Sequence, residues 1–257
     1  MDKIGFIGVG VMGKPMVRNL RKKGYTLYIH TRTREKVEDL LREEGVHWCD
    51  SVADCAEDRD AVITMLGFPD EVERVFFGQE GIVQKADPGT YLIDMSTTDP
   101  DLSLRIYDES QANGLRALDA PVAGGGSGAI NASLSIMVGG RKEDYTACLP
   151  LFEAIGQNIT HQGPAGAGQH CKMANQIALA GCIAGVCEAM GYVESVGLDV
   201  AAVLDSISKG AACSWQMTNT APRIPQGDME PGFYIKHYVK DLSIACAQAA
   251  KRGADLE

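Results

Sequence analysis

Three glycines near the N-terminus have the spacing of a phosphate-binding loop. Gly8, Gly10 and Gly13 form G-x-G-x-x-G between an apolar run and a helix-like stretch. In that context the first glycine permits a tight turn, the second lets the backbone approach a pyrophosphate, and the third lets the helix pack on the strand. We therefore expect the loop, with Val11 and Met12 at its tip, to hold the pyrophosphate of a dinucleotide at a helix N-terminus. A purely structural glycine turn is the alternative.

The segment that follows the second predicted strand bears on which dinucleotide is bound. NAD sites usually carry Asp or Glu at this position, which bonds the ribose hydroxyls. Here the segment reads YIHTRTREK, and Thr31, Arg32 and Thr33 stand where the acid is expected. A guanidinium pairs with a 2′-phosphate, whereas a carboxylate repels it. The pattern favours NADP as the cofactor, with NAD as the alternative; Arg32 stacked on the adenine or turned to solvent is the competing interpretation.

A second candidate pair lies far along the chain, in the segment GAGQHCKMAN. Lys172 and Asn175 are three residues apart on a predicted helix, so they share one helix face. A lysine beside a reacting group can exchange a proton with it. From these two residues alone, a lysine that lies along the surface with its ammonium group in water explains the pattern better than a catalytic one.

The elements that must position these residues alternate between strand and helix over the first part of the chain. Strand-like runs occur at 3–8, 25–30, 61–66, 90–95, 115–119 and 134–138, and helices are predicted at 12–23 and 33–44. This alternation is typical of an α/β Rossmann fold with a doubly wound parallel sheet.

The remaining part of the chain shows only helical periodicity. Helices are predicted at about 169–196, 199–209, 214–223 and 234–252. We therefore expect an NAD(P)-binding Rossmann domain at 1–163 and an all-α domain for substrate binding and oligomerisation at 164–257. The sequence stops inside a helix-like pattern at KRGADLE, so we expect a C-terminal segment to be missing.

Composition indicates a soluble globular protein in a reducing compartment. The 257 residues are 45% hydrophobic and 23% charged with a net charge of −10, which argues against a general nucleic-acid binder. The eight cysteines include no C-x-x-C motif, so we expect free thiols and no metal site. No leader sequence is evident, which favours the cytoplasm. Charged and polar residues interrupt the apolar stretch 171–196, so we expect a buried helix there and no membrane span.

Four motifs occur in a fixed order along the chain. They are GFIGVGVMGKPM (5–16), LDAPVAGGGSGA (118–129), GAGQHCKMAN (166–175) and GFYIKHYVKDL (232–242). Together they resemble the β-hydroxyacid dehydrogenase family, which includes 3-hydroxyisobutyrate dehydrogenase and tartronate semialdehyde reductase, over essentially the whole chain. The resemblance implies a Rossmann domain, a long inter-domain helix and a helical domain that assembles a homodimer or homotetramer. The implied activity is reversible oxidation of a short β-hydroxy acid to its semialdehyde by NAD(P).

The resemblance also assigns roles to the polar residues. It implies that Lys172 is the catalytic acid/base and that Asn175 hydrogen-bonds the substrate. Burial and a nearby cationic nicotinamide would lower the pKa of such a lysine toward neutrality, so that it serves both reaction directions. The resemblance places Lys240 near both the cofactor and the substrate carboxylate; a solvated helix lysine is the alternative.

A second glycine-rich loop, VAGGGSG at 122–128, is implied to bind the substrate carboxylate through backbone N–H groups. Most relatives carry Ser or Thr where this chain has Ala123, so one hydroxyl donor is absent and the amides of Gly124 and Gly125 must suffice. A purely structural turn is the alternative.

Further contacts are implied by the same resemblance. Thr97 matches a position near the nicotinamide, Met65 and Leu66 match contacts to the cofactor, and Phe233 matches an apolar wall of the substrate pocket. Relatives usually have Pro where this chain has Gly67, so the loop after the strand at 61–66 is expected to be looser.

Two related functions remain as alternatives: an imine reductase-like enzyme and a non-catalytic cofactor-binding module. Relatives of both kinds typically lack the lysine that matches Lys172, so its presence argues against them. The sequence does not identify the acid among 3-hydroxyisobutyrate, glycerate, 4-hydroxybutyrate and similar short compounds.

Overall fold

The computed structural model describes residues 1–228, 230 and 232–256, and the chain divides into two compact units. The first, the α/β unit, comprises Met1–Met173 and Ile235–Glu257. The second, the helical unit, comprises Ala174–Tyr234. The C-terminal helix thus groups with the α/β unit by its contacts, and the domain division at residue 163 stays a prediction.

The α/β unit is built on one sheet with the strand order β3-β2-β1-β4-β5-β6-β8-β7, and β9 pairs with β8. The strands are β1 (Lys3–Ile7), β2 (Thr26–His30), β3 (Val46–Trp48), β4 (Ala61–Thr64), β5 (Tyr91–Asp94), β6 (Arg116–Asp119), β7 (Val122–Ala123), β8 (Leu134–Gly139) and β9 (Gly156–Gly163).

Strands β1 to β6 run parallel, which confirms the doubly wound arrangement. The strand order reverses on either side of β1, which lies between β2 and β4, so a ligand crevice is expected at the carboxyl ends of β1 and β4. Against expectation, β8 runs antiparallel to β6 and β7. The sequence analysis did not predict β3, β7 or β9, because β3 and β7 are short and β9 is polar, so none of them has a clear apolar run.

Helices cover both faces of the sheet. The α/β unit contains α1 (Gly13–Lys22), α2 (Val52–Ala56), α3 (Pro69–Phe77), α4 (Ile82–Lys85), α5 (Pro100–Ala112), α6 (Gly125–Ile130), α7 (Lys142–Glu153), the start of α8 (Ala167–Ser195) and α11 (Ile235–Lys251). The helix predicted at 33–44 is instead two 3₁₀ turns, Arg34–Val37 and Leu40–Arg42. Only Val37 and Leu40 are buried in these turns, which is too little apolar surface to fix a continuous amphipathic helix.

Alternating side chains of the central strands supply two separate cores. Ile4, Phe6 and Ile63 belong to the core on one face, and Ile7 and Val62 belong to the core on the other. The period of two places successive residues on opposite faces, and both faces are covered by helices, so nearly every residue of these strands is apolar.

The long helix α8 differs from its prediction. It is long and apolar enough to cross a membrane by length and composition, with a mean hydropathy of 1.4 over its most apolar window. Only 22% of that window is buried in the single chain, so the prediction of a buried helix is wrong for the isolated chain. The exposed part of the helix includes Gly181, Gly185 and Gly191, where an added Cβ would meet nothing within 4 Å.

The helical unit has a small core of its own. It contains the remainder of α8 together with α9 (Val200–Ile207) and α10 (Trp215–Asn219). This core is a cluster of the buried side chains of Val186, Met190, Leu204, Met217 and Ala221. The Asp199 side chain caps α9 by accepting from the backbone N–H groups of its first turn.

Candidate active site

The glycine loop lies at the crevice where the strand order reverses. An added Cβ on Gly8 would overlap the carbonyl oxygen of Met65, and one on Gly13 would overlap the carbonyl oxygen of Gly8. A Cβ on Gly10 would meet nothing within 4 Å. Gly8 and Gly13 are thus required for packing, whereas Gly10 faces open space in which a pyrophosphate can approach the backbone.

The N-terminus of α1 has no side-chain cap. Met12 stands at the N-cap position, and its side chain makes no capping hydrogen bond. Val11, just before it, is exposed. The first turn of a helix carries N–H groups without intrahelical partners and the positive end of the helix dipole, which together suit a phosphate. The residues at this loop therefore fit a dinucleotide.

Arg32 follows the end of β2, as the sequence predicted, but it already has a partner. Its Nη1 lies 2.9 Å from Oε1 of Glu71, which comes from the first turn of α3. The Arg32 side chain is 84% exposed, and that of Glu71 is 15% exposed. Thr31 and Thr33 flank the arginine and are half-buried. The guanidinium is free to move toward a ligand at the end of β2, at the cost of this ion pair.

A hydrogen-bond relay holds the loop after β4. The N–H of Leu66 donates to Oγ of Ser96 at 2.8 Å, and the N–H of Ser96 donates to Oδ1 of Asp94 at 3.0 Å. Thr64 Oγ1 donates to the same carboxylate oxygen at 2.7 Å. The N–H of Met65 donates to the carbonyl of Ile7 on the neighbouring strand. Met65 and Leu66 are thereby fixed beside the glycine loop, as expected of residues that contact the cofactor.

Burial of Asp94 makes this relay electrostatically unusual. The carboxyl group is fully buried, and desolvation raises its pKa to about 6, although the hydrogen bonds from Ser96 and Thr64 act in the opposite direction. The hydrogen bonds favour the charged form of this carboxyl group, whereas the low dielectric around it favours the neutral form.

Lys172 is buried at the carboxyl edge of the sheet. Its Nζ donates to the carbonyl oxygen of Val122, the first residue of β7, at 2.8 Å. The side chain is only 7% exposed. Burial lowers the pKa of the Lys172 amine to about 8; Asp241 opposes this shift, and Lys240 adds to it. An amine with a pKa near neutrality can both accept and release a proton.

Lys240 brings a second cation to the same edge. Its Nζ donates to the carbonyl oxygen of Thr97, which follows β5, at 2.5 Å, and lies 2.7 Å from Oδ1 of Asp241. Both side chains of this pair are largely buried. The side chain of Lys240 is only 12% exposed, so the alternative of a solvated helix lysine is wrong. Its role toward the cofactor and the substrate stays a prediction.

Two polar residues anchor the first turn of α8 and thereby position Lys172. Asp119, at the end of β6, accepts hydrogen bonds from the N–H groups of Gly166 at 2.8 Å and Gln169 at 2.9 Å. The Gln169 amide donates to the carbonyl of Ser96 at 2.8 Å and accepts from the N–H of Thr98 at 3.1 Å. Helix α8 therefore starts from a fixed point between the ends of β5 and β6.

The second glycine loop has the backbone geometry of a tight corner. Gly124 and Gly125 have φ of 124° and 59°, in the region that glycine adopts most readily. Ala123 is half-buried at the end of β7 and pairs with Ser135 of β8. Because Lys172 bonds to Val122, this loop and the lysine lie together at the carboxyl edge.

Two of the predicted site residues fall in the helical unit. Asn175, one helical turn after Lys172 on α8, donates from Nδ2 to Oε1 of Gln176 at 2.8 Å. Phe233 is about half exposed. Their roles toward a substrate stay predictions.

Sequence reasoning missed the residues that support the site. Glu71, Asp119, Gln169 and Asp241 all bond to, or charge-couple with, a predicted site residue or its helix. Asp119 and Gln169 lie inside the motifs LDAPVAGG and GAGQHCK, so their position in a motif was the available signal. Nothing in the sequence near Glu71 indicated that it would reach Arg32.

Family models match nearly the whole chain. The model for the NAD-binding domain of 6-phosphogluconate dehydrogenase covers residues 3–163, and the model for the NAD-binding region of NADP-dependent 3-hydroxyisobutyrate dehydrogenase covers residues 166–257.

Individual relatives agree with these models. An uncharacterized oxidoreductase of Bacillus subtilis, YkwC, is 50% identical over 98% of this chain and 88% of its own length. The 2-hydroxy-3-oxopropionate reductase of Escherichia coli is 37% identical over 96% of this chain and 84% of its own. A solved structure of Mycobacterium tuberculosis 3-hydroxyisobutyrate dehydrogenase with L-serine superposes with a TM-score of 0.90 at 31% identity, covering 100% of this chain and 89% of that one.

Proposed function

The chain belongs to the β-hydroxyacid dehydrogenase family, and on that basis we propose that it interconverts a short β-hydroxy acid and the corresponding semialdehyde, with NADP preferred over NAD. At the coarser level it is an NAD(P)-dependent oxidoreductase that acts on a hydroxyl group. The observation that carries the proposal is the buried amine of Lys172, held at the carboxyl edge of the sheet beside the second glycine loop.

Lys172 performs the proton transfer in this proposal. One of its N–H bonds is committed to the carbonyl oxygen of Val122, which fixes the direction of the amine. The remaining positions on Nζ are available to a substrate oxygen. In the oxidation direction the neutral amine takes the proton of the substrate hydroxyl, and in the reduction direction the ammonium returns a proton to the carbonyl oxygen. The nicotinamide, when bound, accepts or supplies the hydride.

Recognition of the substrate carboxylate is assigned to Lys240 and the second glycine loop. Lys240 brings a cation to the end of β5, and its charge is partly balanced by Asp241. Gly124 and Gly125 contribute backbone N–H groups, because Ala123 has no hydroxyl to donate. Asn175 is assigned a hydrogen bond to the substrate, and Phe233 an apolar wall of the pocket. A small β-hydroxy acid needs no more polar groups than these.

The cofactor preference rests on Arg32. The end of β2 presents a guanidinium and no acid, and the arginine is mostly exposed. A bidentate guanidinium–phosphate contact is a strong charge-assisted hydrogen bond, so a 2′-phosphate adds binding energy that NAD cannot supply.

The proposal includes a cytoplasmic homo-oligomer. The exposed apolar helix α8 has an open flank at Gly181, Gly185 and Gly191. Small residues let another helix approach closely, which supports a homodimer or homotetramer over a membrane-inserted state.

A substrate panel tests the proposal. Initial rates of NADPH and NADH oxidation are measured with methylmalonate semialdehyde, tartronate semialdehyde and succinic semialdehyde, and the reverse reaction with 3-hydroxyisobutyrate, glycerate, 4-hydroxybutyrate and L-serine. The proposal expects at least one of these pairs to turn over, faster with NADPH than with NADH. A protein that binds NADPH and turns over none of them, or that reduces only cyclic imines, would contradict it. The variant Lys209→Ala serves as a control, since that lysine is exposed just after α9 and pairs with Asp205 of that helix.

A further inference from the structure

The site proposed for the 2′-phosphate contains a carboxylate as well as a guanidinium. No acid follows β2 in the sequence, but Glu71 brings a carboxylate from α3 to the guanidinium of Arg32. Its Oε1 lies 2.9 Å from Nη1 of Arg32. The pair therefore combines the group that selects NADP with the type of group that NAD sites use.

Glu71 is the fixed member of this pair. Its second oxygen, Oε2, accepts a hydrogen bond from the N–H of Gly67 at 3.0 Å, and the side chain is mostly buried. A Cβ on Gly67 would lie 3.2 Å from that same oxygen, so the backbone of the loop after β4 packs directly against the carboxylate. A carboxylate is also favoured in the first turn of a helix. Arg32, which is mostly exposed, is the member that can move.

The ring of His237 closes the other side of this loop. It lies 5.0 Å, centroid to centroid, from the ring of Phe68, and its Cε1 would be 3.0 Å from a Cβ on Gly67. The loop that holds Glu71 is thus packed from the direction of α11 and does not depend on Arg32 for its position. Removal of the charge of Glu71 is expected to leave the loop in place.

We infer that Glu71 is a specificity-determining residue that opposes Arg32 and keeps the preference for NADP over NAD moderate. This inference rests on the proposed function, in which Arg32 pairs with the 2′-phosphate. The carboxylate occupies one end of the guanidinium and repels a phosphate dianion, so NADP must compete with Glu71 for Arg32. NAD has no phosphate on this ribose, so Arg32 and Glu71 can stay paired when NAD binds.

The test is a double-mutant cycle read out as the ratio of kcat/KM for NADPH to that for NADH. Glu71→Gln keeps an acceptor oxygen for the N–H of Gly67 and removes the charge. We expect this variant to raise the ratio about five-fold, the size of one partly exposed charge interaction, mainly through KM. Arg32→Ala is expected to lower the ratio about ten-fold or more. In the Arg32→Ala background the effect of Glu71→Gln on NADPH is expected to be smaller than in the unaltered protein, because no guanidinium is left to release and only the direct repulsion between Glu71 and the phosphate is removed.

Glu73→Gln is the matched control. Glu73 lies on the same helix and pairs with Arg105, and both side chains are about half exposed. This variant is expected to leave the ratio unchanged.

Two results separate the inference from the function on which it rests. If Arg32→Ala lowers the ratio but Glu71→Gln leaves it unchanged or lowers it, the role of Glu71 is refuted and the proposed role of Arg32 stands. If Arg32→Ala leaves the ratio unchanged, the proposed basis of NADP preference fails, and the inference about Glu71 fails with it. Direct titration of both variants with NADPH, followed by cofactor fluorescence, shows whether the change lies in binding.

Discussion

The pH dependence of catalysis should follow the protonation of Lys172. Burial lowers the pKa of its amine to about 8, against about 10.5 for an ordinary lysine. At pH 7 an amine with a pKa of about 8 is neutral in roughly 9% of molecules, whereas one with a pKa of 10.5 is neutral in roughly 0.03%. The buried position therefore raises the population of the general base about 300-fold at neutral pH.

The two reaction directions should respond with opposite signs. For oxidation of the hydroxy acid, kcat/KM should rise about ten-fold per pH unit below pH 8 and level off above it, because the neutral amine is the base. For reduction of the semialdehyde, it should be level below pH 8 and fall above it, because the ammonium is the acid. Initial rates at constant ionic strength between pH 6 and 9.5 measure both profiles.

A charge substitution shows whether the inflection belongs to Lys172. Asp241 raises the pKa of the Lys172 amine, and it also balances the charge of Lys240. Asp241→Asn should therefore move both inflections to lower pH. Inflections that stay in place in this variant, or that lie near pH 10 in the unaltered protein, would refute the account of how burial prepares this amine.

Other consequences concern the cofactor loop and stability. Gly10→Ala should fold normally but bind NADPH at least ten-fold more weakly, because its Cβ enters only the open space at the loop. Gly13→Ala should lose several kcal/mol of stability, because its Cβ would overlap the carbonyl of Gly8. Thermal unfolding and cofactor titration measure the two effects, and equal behaviour of the two variants would contradict this reasoning. Asp94→Asn should gain about 2 kcal/mol relative to the unaltered protein as the pH rises from 4 to 7. The raised pKa of Asp94, about 6, stabilises the fold at low pH, and that contribution is lost as the pH passes the folded-state pKa. Denaturant unfolding across this range checks the sign. Asp119→Ala should leave the N–H groups of Gly166 and Gln169 at the start of α8 unpaired. This variant should lower kcat more than it raises KM, because the substitution displaces Lys172 and removes no group assigned to the substrate. A change in KM alone would show that Asp119 acts in another way.

The sequence predicted those features that depend on local pattern. The glycine loop, the strands β1, β2, β4, β5 and β6 and the helix that carries Lys172 each follow from a short motif or a clear periodicity. The 33–44 segment misled the prediction, because charged residues with helical propensity surround only two apolar anchors, Val37 and Leu40. The short strand β7 and the polar strand β9 owe their conformation to pairing with β8, which no local pattern encodes.

The electrostatics of the site depend on contacts between distant segments. Arg32 was predicted, but its partner Glu71 comes from a separate helix. Lys172 was predicted as the acid/base, yet the opposing influences of Asp241 and Lys240 on its pKa arise only when α11 packs onto the rest of the α/β unit. The motif thus identifies Lys172 as the acid/base, but the pKa of its amine depends on tertiary contacts.

Removal of the Lys172 amine tests the central claim most directly. Lys172→Ala should bind NADPH with an unchanged dissociation constant, because the hydrogen bond of the lysine goes to Val122 and not to a residue of the first glycine loop. Its turnover should fall by about 10²–10⁴-fold. A small primary amine such as methylamine, added to this variant, should restore part of the rate by entering the vacated space beside Val122. Undiminished turnover in Lys172→Ala, with the cofactor bound, would contradict the assignment of this amine as the proton-transfer group.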